Sequence, residues 1–285
     1  MTKGLVLEGG AMRGMFTAGV IDVMMEQGIK YDGAIGVSAG AAFGCNYKSE
    51  QIGRVIRYNT RFCRDKRYSG LGCLIKTGDI YSRDFAYGEV PLVHDPFDFE
   101  TYEKNPMDFY VVCTEVETGR PVYHNYKGVS DHGFEWVRAS ASMPVVSRIV
   151  EIDGYKLLDG GISDSIPVRY FQSIGYDKCV VVLTRPAEYR KGKNSLMPVI
   201  KAKYRRYPEF VSTMANRHIM YNETLEYIEQ QEKAGGIYVI RPDSELNISK
   251  VEKNPEKLKE IYNIGRDTAG RHIEKIKVFL SSEEK

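Results

Sequence analysis

Short apolar runs alternate with amphipathic segments through the first two thirds of the chain, and their lengths predict strands alternating with helices. Gly4-Leu5-Val6-Leu7-Glu8 is a brief apolar stretch that ends in Gly9-Gly10-Ala11-Met12-Arg13-Gly14, the pattern of a buried strand passing into a tight loop. Phe16, Val20, Val23 and Met24 then recur at helical spacing, and Gly28 stands where a helix end takes a residue at positive φ. Ala34-Ile35-Gly36-Val37 reads as a second strand, and Ser38-Ala39-Gly40-Ala41-Ala42 opens a second helix. This β-α-β-α beginning predicts an α/β fold with a mainly parallel sheet.

Further along, Asp108-Phe109-Tyr110-Val111-Val112-Cys113-Thr114 and Lys178-Cys179-Val180-Val181-Val182-Leu183 are near-continuous apolar or β-branched runs, as expected for strands covered on both faces. Between them, Val150-Glu151-Ile152 and Tyr155-Lys156-Leu157-Leu158 flank Asp153-Gly154, a pair favoured in two-residue hairpin turns. The second arm ends at Asp159-Gly160-Gly161. From about residue 190 the sequence becomes charged and rich in long side chains, with one more strand expected at 237–240. The pattern divides the chain into an α/β unit, residues 1–189, and a helical extension packed on it, residues 190–285.

The 285 residues, 42% of them hydrophobic, suffice for a large core and exclude a collagen-like or mainly disordered chain. With 40 Lys and Arg against 38 Asp and Glu, the formal charge of +2 argues against a surface built for nucleic acid. Cys45, Cys63, Cys73, Cys113 and Cys179 form no C-x-x-C pair, so neither a disulfide framework nor a zinc site is expected, and a reduced, cytoplasmic chain is the simpler reading. The apolar run after Met1-Thr2-Lys3 is too short for a signal-peptide core, and no stretch is long and uncharged enough to span a bilayer. Any membrane contact is expected to be peripheral.

Gly36-Val37-Ser38-Ala39-Gly40 fits G-x-S-x-G, in which a serine sits on a sharp strand-to-helix turn. A serine that merely ends a glycine-rich loop would fit the same letters, but the strand before it and the small-residue helix after it favour a nucleophile. Such a nucleophile needs donors for the oxyanion that forms on the attacked carbonyl. The Gly9-Gly10-Ala11 loop follows the first strand, so in a parallel sheet it reaches the same carboxyl edge, where its N–H groups can converge with that of Ala39. The alternative use of such a loop is phosphate binding. The Walker lysine is missing, since Met15 and Phe16 follow Gly14, and Ala11 stands where a dinucleotide fingerprint needs its second glycine, so nucleotide binding is only a runner-up.

A base must take the serine proton. His94, His124, His132, His218 and His272 sit in no motif and are expected on the surface or in the core. Asp159 ends a strand and precedes two glycines that permit close approach, so it is either the base or a plain turn aspartate, whereas Asp153 belongs to the hairpin turn. An aspartate acting directly on serine needs a partly desolvated site to be basic enough.

Four blocks in order, Gly9-Gly10-Ala11-Met12-Arg13-Gly14, Gly36-Val37-Ser38-Ala39-Gly40, Ala139-Ser140-Ala141-Ser142-Met143-Pro144 and Asp159-Gly160-Gly161, resemble the bacterial patatin-like phospholipases over about residues 4–185. The resemblance implies a three-layer α/β/α sandwich and a Ser38–Asp159 dyad that needs no histidine, metal or cofactor. It implies an oxyanion hole from Gly9, Gly10, Ala11 and Ala39, support of the loop by Arg13 and Gly14, and hydrolysis of lipid acyl esters through an acyl-enzyme. One letter departs from the family pattern G-G-G-x-[RK]-G: Ala11 replaces its third glycine. If that position is left-handed, alanine carries strain of about 1–2 kcal/mol and activity falls. A lipid-binding or regulatory protein of the same fold is therefore the second reading. Residues 190–285 look like an extension found in some bacterial members and carry no catalytic motif.

Basic residues are also grouped. Arg54, Arg57, Arg61 and Arg64 are spaced to share one face of an expected helix, and residues 190–206 hold seven Lys and Arg and no acid, interleaved with Leu196, Met197, Val199, Ile200 and Tyr204. Both are either solvated faces or seats for anionic lipid headgroups, at about 1 kcal/mol per near-surface charge. Residues 84–103, with six acids and no Lys or Arg, oppose them. The 190–206 cluster predicts weak, salt-sensitive adsorption to anionic vesicles without stable anchoring.

Overall fold

The computed structural model describes residues 1–282. Its strands are β1 (Lys3–Leu7), β2 (Gly33–Val37), β3 (Asp108–Glu115), β4 (Pro121–Asn125), β5 (Val150–Ile152), β6 (Tyr155–Asp159), β7 (Lys178–Val182) and β8 (Ile237–Ile240). They form one sheet in the order β5-β6-β3-β2-β1-β7-β8, with β4 also paired to β3. Pairing is parallel from β3 through β2, β1 and β7 to β8, while β4, β5 and β6 add an antiparallel end. The helices are α1 (Gly14–Glu26), α2 (Ala39–Lys48), α3 (Arg54–Phe62), α4 (Leu71–Thr77), α5 (Phe99–Lys104), α6 (Glu135–Ser140), α7 (Val168–Ser173), α8 (Met197–Lys203), α9 (Pro208–Lys233) and α10 (Pro255–Ser281), with a π-helical segment at Phe85–His94.

Alternation along β1 sets the layers. Leu5 and Leu7 pack in one core with Phe16 of α1, Ala41 of α2 and Ile276 of α10, whereas Val6 faces a second core with Phe171 of α7 and Leu225 and Ile228 of α9. Both faces are covered, which is why the parallel strands read as unbroken apolar runs. At the antiparallel end, Asp153 and Gly154 take φ values of +51° and +83°, the two positive values that a tight hairpin of this twist demands.

The segment after residue 190 supplies a strand as well as helices. β8 pairs with β7, placing Val239 beside Val181. Asn254 caps α10 by accepting the Glu256 N–H, and Pro255 fills its first turn. This helix lies directly on α1: a Cβ on Gly19 would strike the Tyr262 carbonyl, and one on Gly265 the Phe16 carbonyl. Tyr262 donates to Asp22 at 2.7 Å, and Arg266 grips Glu26 with two bonds of 2.8 Å.

The arginine face expected at residues 54–64 is not a free cationic surface. Arg54 is buried, donating to the Asp95 carbonyl at 3.1 and 2.7 Å and to Asn46 at 3.0 Å, and Arg57 forks onto the Asp95 carboxylate at 2.7 and 2.8 Å. Arg61 donates to the His94 carbonyl, and Arg64, beyond the end of α3, to that of Lys253. The acidic stretch 84–103 folds onto this face, so Asp95 draws Arg54 into the interior and pairs with Arg57, while Arg57, Arg61 and Arg64 stay exposed. In the 190–206 cluster, Arg190 pairs with Glu229 and Lys191 turns toward Tyr221, while Lys193, Lys201, Lys203, Arg205 and Arg206 stay exposed. The five cysteines are buried and unpaired. No described helix is long and apolar enough to cross a membrane.

Candidate active site

β2 ends at Val37 and α2 begins at Ala39, so the chain turns on Ser38 alone. Ser38 adopts φ +55° and ψ −118°, a conformation that costs on the order of 1–3 kcal/mol and persists only where its surroundings over-determine it. Here its N–H donates to Ser140 Oγ at 2.8 Å, and that hydroxyl donates onward to the Val112 carbonyl of β3 at 2.6 Å. The Ser38 carbonyl accepts from Ala41 and Ala42 at 3.0 and 2.9 Å. Space demands the flanking glycines: a Cβ on Gly36 would stand 2.5 Å from the Gly40 carbonyl oxygen, and one on Gly40 would run into the Leu7 carbonyl.

Asp159 ends β6 opposite Cys113 of β3. Its main chain is held at both ends, the N–H by the Ser142 carbonyl and the carbonyl by Thr114 Oγ1, each at 2.9 Å. Its Oδ2 accepts from Ser38 Oγ at 2.7 Å, and its Oδ1 from the Gly161 N–H at 2.8 Å. Both side chains are buried, Ser38 at 8% and Asp159 at 7% exposure. Burial pushes the Asp159 carboxyl above its ordinary value, against the opposing pull of the Ser38 hydroxyl, the Arg217 charge and the Gly161 N–H. A serine hydroxyl and a carboxylate of raised basicity thus share one hydrogen bond, the geometry a nucleophile and its base require.

Among the described residues no histidine bonds to either group. His124 stacks on Trp136 and bonds Asp131, His132 bonds Asp153, His218 contacts the Ala215 carbonyl, His272 bonds Tyr238, and His94 lies against Phe62 and Phe85. Nor do three His, Cys, Asp or Glu side chains gather anywhere in a metal-binding group among the described residues.

The N–H groups of Gly10, Ala11 and Ala39 have no protein acceptor among the described residues. Gly9 departs from expectation, because its N–H donates to the Ser165 carbonyl at 3.4 Å. The chain is still hydrogen-bonded in strand fashion there, with the Glu8 N–H on the Val182 carbonyl, so the free donors begin one residue later. Ala11 has φ +48°, the left-handed region in which alanine is strained by about 1–2 kcal/mol. Arg13 also differs: its backbone N–H closes the loop onto the Gly10 carbonyl at 3.1 Å, but its side chain is no hydrogen-bonded brace, since Nε is buried without a partner. Gly14 leaves room for Ala39 and Phe43, letting α1 start against α2.

An apolar pocket opens at Ser38, walled by Met12, Phe43, Tyr58, Tyr87, Val90 and Phe134 among others. Ser140, Thr114 and Arg217 bear on the site without having been singled out in the sequence. Ser140 belongs to a motif block, yet nothing local says that it spans from the elbow to β3. Arg217 comes from α9, where its Nε donates to the Gly161 carbonyl, and no sequence signal connects it to Asp159.

A family model described as patatin-like phospholipase matches residues 5–171, and one described as a domain of unknown function (DUF6363) matches residues 207–281. An uncharacterized protein of Escherichia coli (strain K12), YjjU, is 27% identical over 292 residues, covering 94% of this chain and 76% of that protein. Lysophospholipase nte1 of Aspergillus terreus is 26% identical over 300 residues, covering 96% of this chain. The chain spans only 18% of that lysophospholipase. Among solved structures, the type III effector protein ExoU has a TM-score of 0.41 and 13% identity, covering 97% of this chain and 54% of that one.

Proposed function

The chain belongs to the patatin-like phospholipase family, and from that premise we propose that it is a serine lipid acyl hydrolase with Ser38 as nucleophile and Asp159 as its base. The observation that carries this reading is the 2.7 Å bond from Ser38 Oγ to Asp159 Oδ2 at a strained elbow beside unpaired N–H groups. Ser38 Oγ attacks the ester carbonyl while Asp159 takes its proton. The oxyanion is met by the N–H groups of Gly10, Ala11 and Ala39, each such donor contributing about 2.7–4 kcal/mol to the transition state. Collapse expels the alcohol, which leaves with the proton from Asp159, and the acyl group stays on Ser38. Water, deprotonated by Asp159, then attacks the acyl-enzyme, and collapse releases the carboxylic acid while Asp159 returns the proton to Ser38 Oγ. The apolar pocket suits the acyl chain of a lipid ester, and the resemblance to a lysophospholipase supports the same substrate class.

Ala11 favours the second reading, a lipid-binding protein of low turnover, because its strained conformation sits in the loop that supplies the donors. Labelling with a fluorescent fluorophosphonate, together with p-nitrophenol release from short and medium acyl esters, separates the two. Labelling and turnover that vanish in Ser38→Ala and collapse in Asp159→Asn are expected. A folded parent that neither labels nor hydrolyses any ester would move the assignment to the binding protein.

A further inference from the structure

Beside Asp159, but outside the apolar pocket, four cations gather around one buried carboxylate. Arg217 reaches the Gly161 carbonyl next to the dyad. Lys191 Nζ stands 4.4 Å above the ring of Tyr221, and the Arg185 guanidinium 4.3 Å above that of Tyr189, the two rings meeting edge to face at 5.9 Å. Arg13 completes the group from the glycine loop, close enough to Arg185 and Glu8 to feel both charges. Glu8 does not neutralise them by contact: its Oε1 accepts from Tyr221 OH at 2.6 Å, and its Oε2 from Thr184 N–H and Oγ1 at 2.5 and 3.0 Å. Of the four cations only Arg185 has an ion-pair partner among the described residues, Glu245.

Such an arrangement is unfavourable for a folded chain by itself. Nε of Arg13 and Nε of Arg185 are both buried without an acceptor, two of the seven orphaned side-chain atoms among the described residues. Burial, with repulsion from Arg217, Arg13 and Arg185, pushes the Lys191 ammonium down to about 7 despite the attraction of Glu8. An Arg13 guanidinium without an acidic partner among the described residues, an Arg185 Nε left over beside its pair with Glu245, and an unpaired Lys191 ammonium are complementary to a group carrying several acceptor oxygens and more than one negative charge.

We infer that Arg13, Arg185, Lys191 and Arg217 form a subsite for a phosphate group, which on a phospholipid-type ester would be seated here while the acyl chain enters the apolar pocket and the ester carbonyl meets Ser38. The headgroup part of this inference rests on the proposed hydrolase reading; the phosphate site does not. Arg13 lies within the family match, whereas Arg185, Lys191 and Arg217 lie beyond residue 171, where that match ends, so three of the four cations come from the part of the chain whose role is unassigned.

The test compares kcat/KM of the full chain on two esters with the same acyl chain, lysophosphatidic acid and monoacylglycerol. The parent is expected to prefer the phosphate-bearing ester by about tenfold or more, Lys191→Met and Arg185→Gln to reduce that ratio about tenfold each, and Lys191→Arg to retain most of it. A second arm follows thermal unfolding with inorganic phosphate, which is expected to raise the Tm of the parent by about 3 °C and that of Lys191→Met by much less. A phosphate-dependent Tm without any preference between the esters assigns the site to free phosphate instead of a headgroup. Equal turnover of both esters together with no response to phosphate would overturn the inference and leave the hydrolase standing. A parent that hydrolyses neither ester would sink the hydrolase reading, and the unfolding arm would still decide the site.

Discussion

On one flank of Ser38 the pocket is walled by Met12, Phe43, Tyr58 and Val90, and the one cation in its lining, Arg54, is fully engaged by the Asp95 carbonyl and Asn46. On the other flank Arg13, Lys191 and Arg217 have no carboxylate partner among the described residues, and buried guanidinium N–H groups are left over. All of these cations are partly or wholly withdrawn from water. Burial therefore does not distinguish a structural cation from one that awaits a ligand; unused hydrogen-bonding capacity does. The two flanks together describe a ligand with an apolar chain at one end and an anion at the other.

The largest effect belongs to the centre, which serves both flanks alike. Ser38→Ala and Asp159→Asn are each expected to lower kcat by about 10⁴-fold on every ester, as when a base or nucleophile is lost. Since Asp159 must be unprotonated to act and burial has raised its pKa, kcat/KM should climb with pH along an acid limb centred above 3.8 and level off beyond it. A limb at or below that value would mean that the carboxylate is not held as a desolvated base.

Probing the apolar flank alone should alter chain-length preference. Ala42→Trp places an indole in the pocket; excluding even three methylenes, at about 0.8 kcal/mol each, means roughly 50-fold in kcat/KM on a long acyl ester with little change on acetate. Equal losses on both would place the chain elsewhere.

Two cation-to-methionine changes test the contrast between the flanks directly. Arg54→Met strips donors from the Asp95 carbonyl and Asn46 and should destabilise the fold by about 1–3 kcal/mol. Lys191→Met should do the opposite. Its folded pKa, about 7, lies below the ordinary lysine value of 10.5, so the folded chain binds fewer protons than the unfolded one between these values. Stability from this position is therefore lowest below pH 7 and recovers as pH rises toward 10.5. The variant should be more stable than the parent at pH 6, on the order of 1 kcal/mol after solvent screening, with the gain fading at high pH. Denaturant titrations at two pH values decide between these signs. The smallest change expected is in the loop, where Ala11→Gly relieves a left-handed alanine and should stabilise by up to about 1 kcal/mol, with any rise in turnover reporting the strain on the donors.

The strands were legible because burial on both faces leaves an unbroken apolar run, and the hairpin because Asp153-Gly154 suits two successive positive φ values. The elbow was legible for a related reason: Gly36 and Gly40 answer to steric contacts within a few residues of themselves and with the adjoining strand. The arginine spacing at 54–64 left a solvated face and a lipid seat both open and did not show that Arg54 is buried, because periodicity tells which residues share a helix face but not what folds against that face; Asp95 does. Gly9 misled by a single residue, since the point at which strand pairing stops is set by the Ser165 carbonyl, remote in sequence.

By itself, then, the sequence determined the alternating α/β order, the Ser38 turn, the glycine loop and the candidacy of Asp159, all of which follow from local sterics and the periodicity of burial. Only the tertiary structure decided that Asp159 meets Ser38, that Ser140 ties the elbow to β3, and that β8 joins the sheet while α10 locks onto α1. The same holds for the cations around Glu8, drawn from positions 13, 185, 191 and 217. Hydrogen bonds and charge interactions act through space at a few ångströms, and the residues that come within that distance are chosen by the packing of elements far apart in the chain.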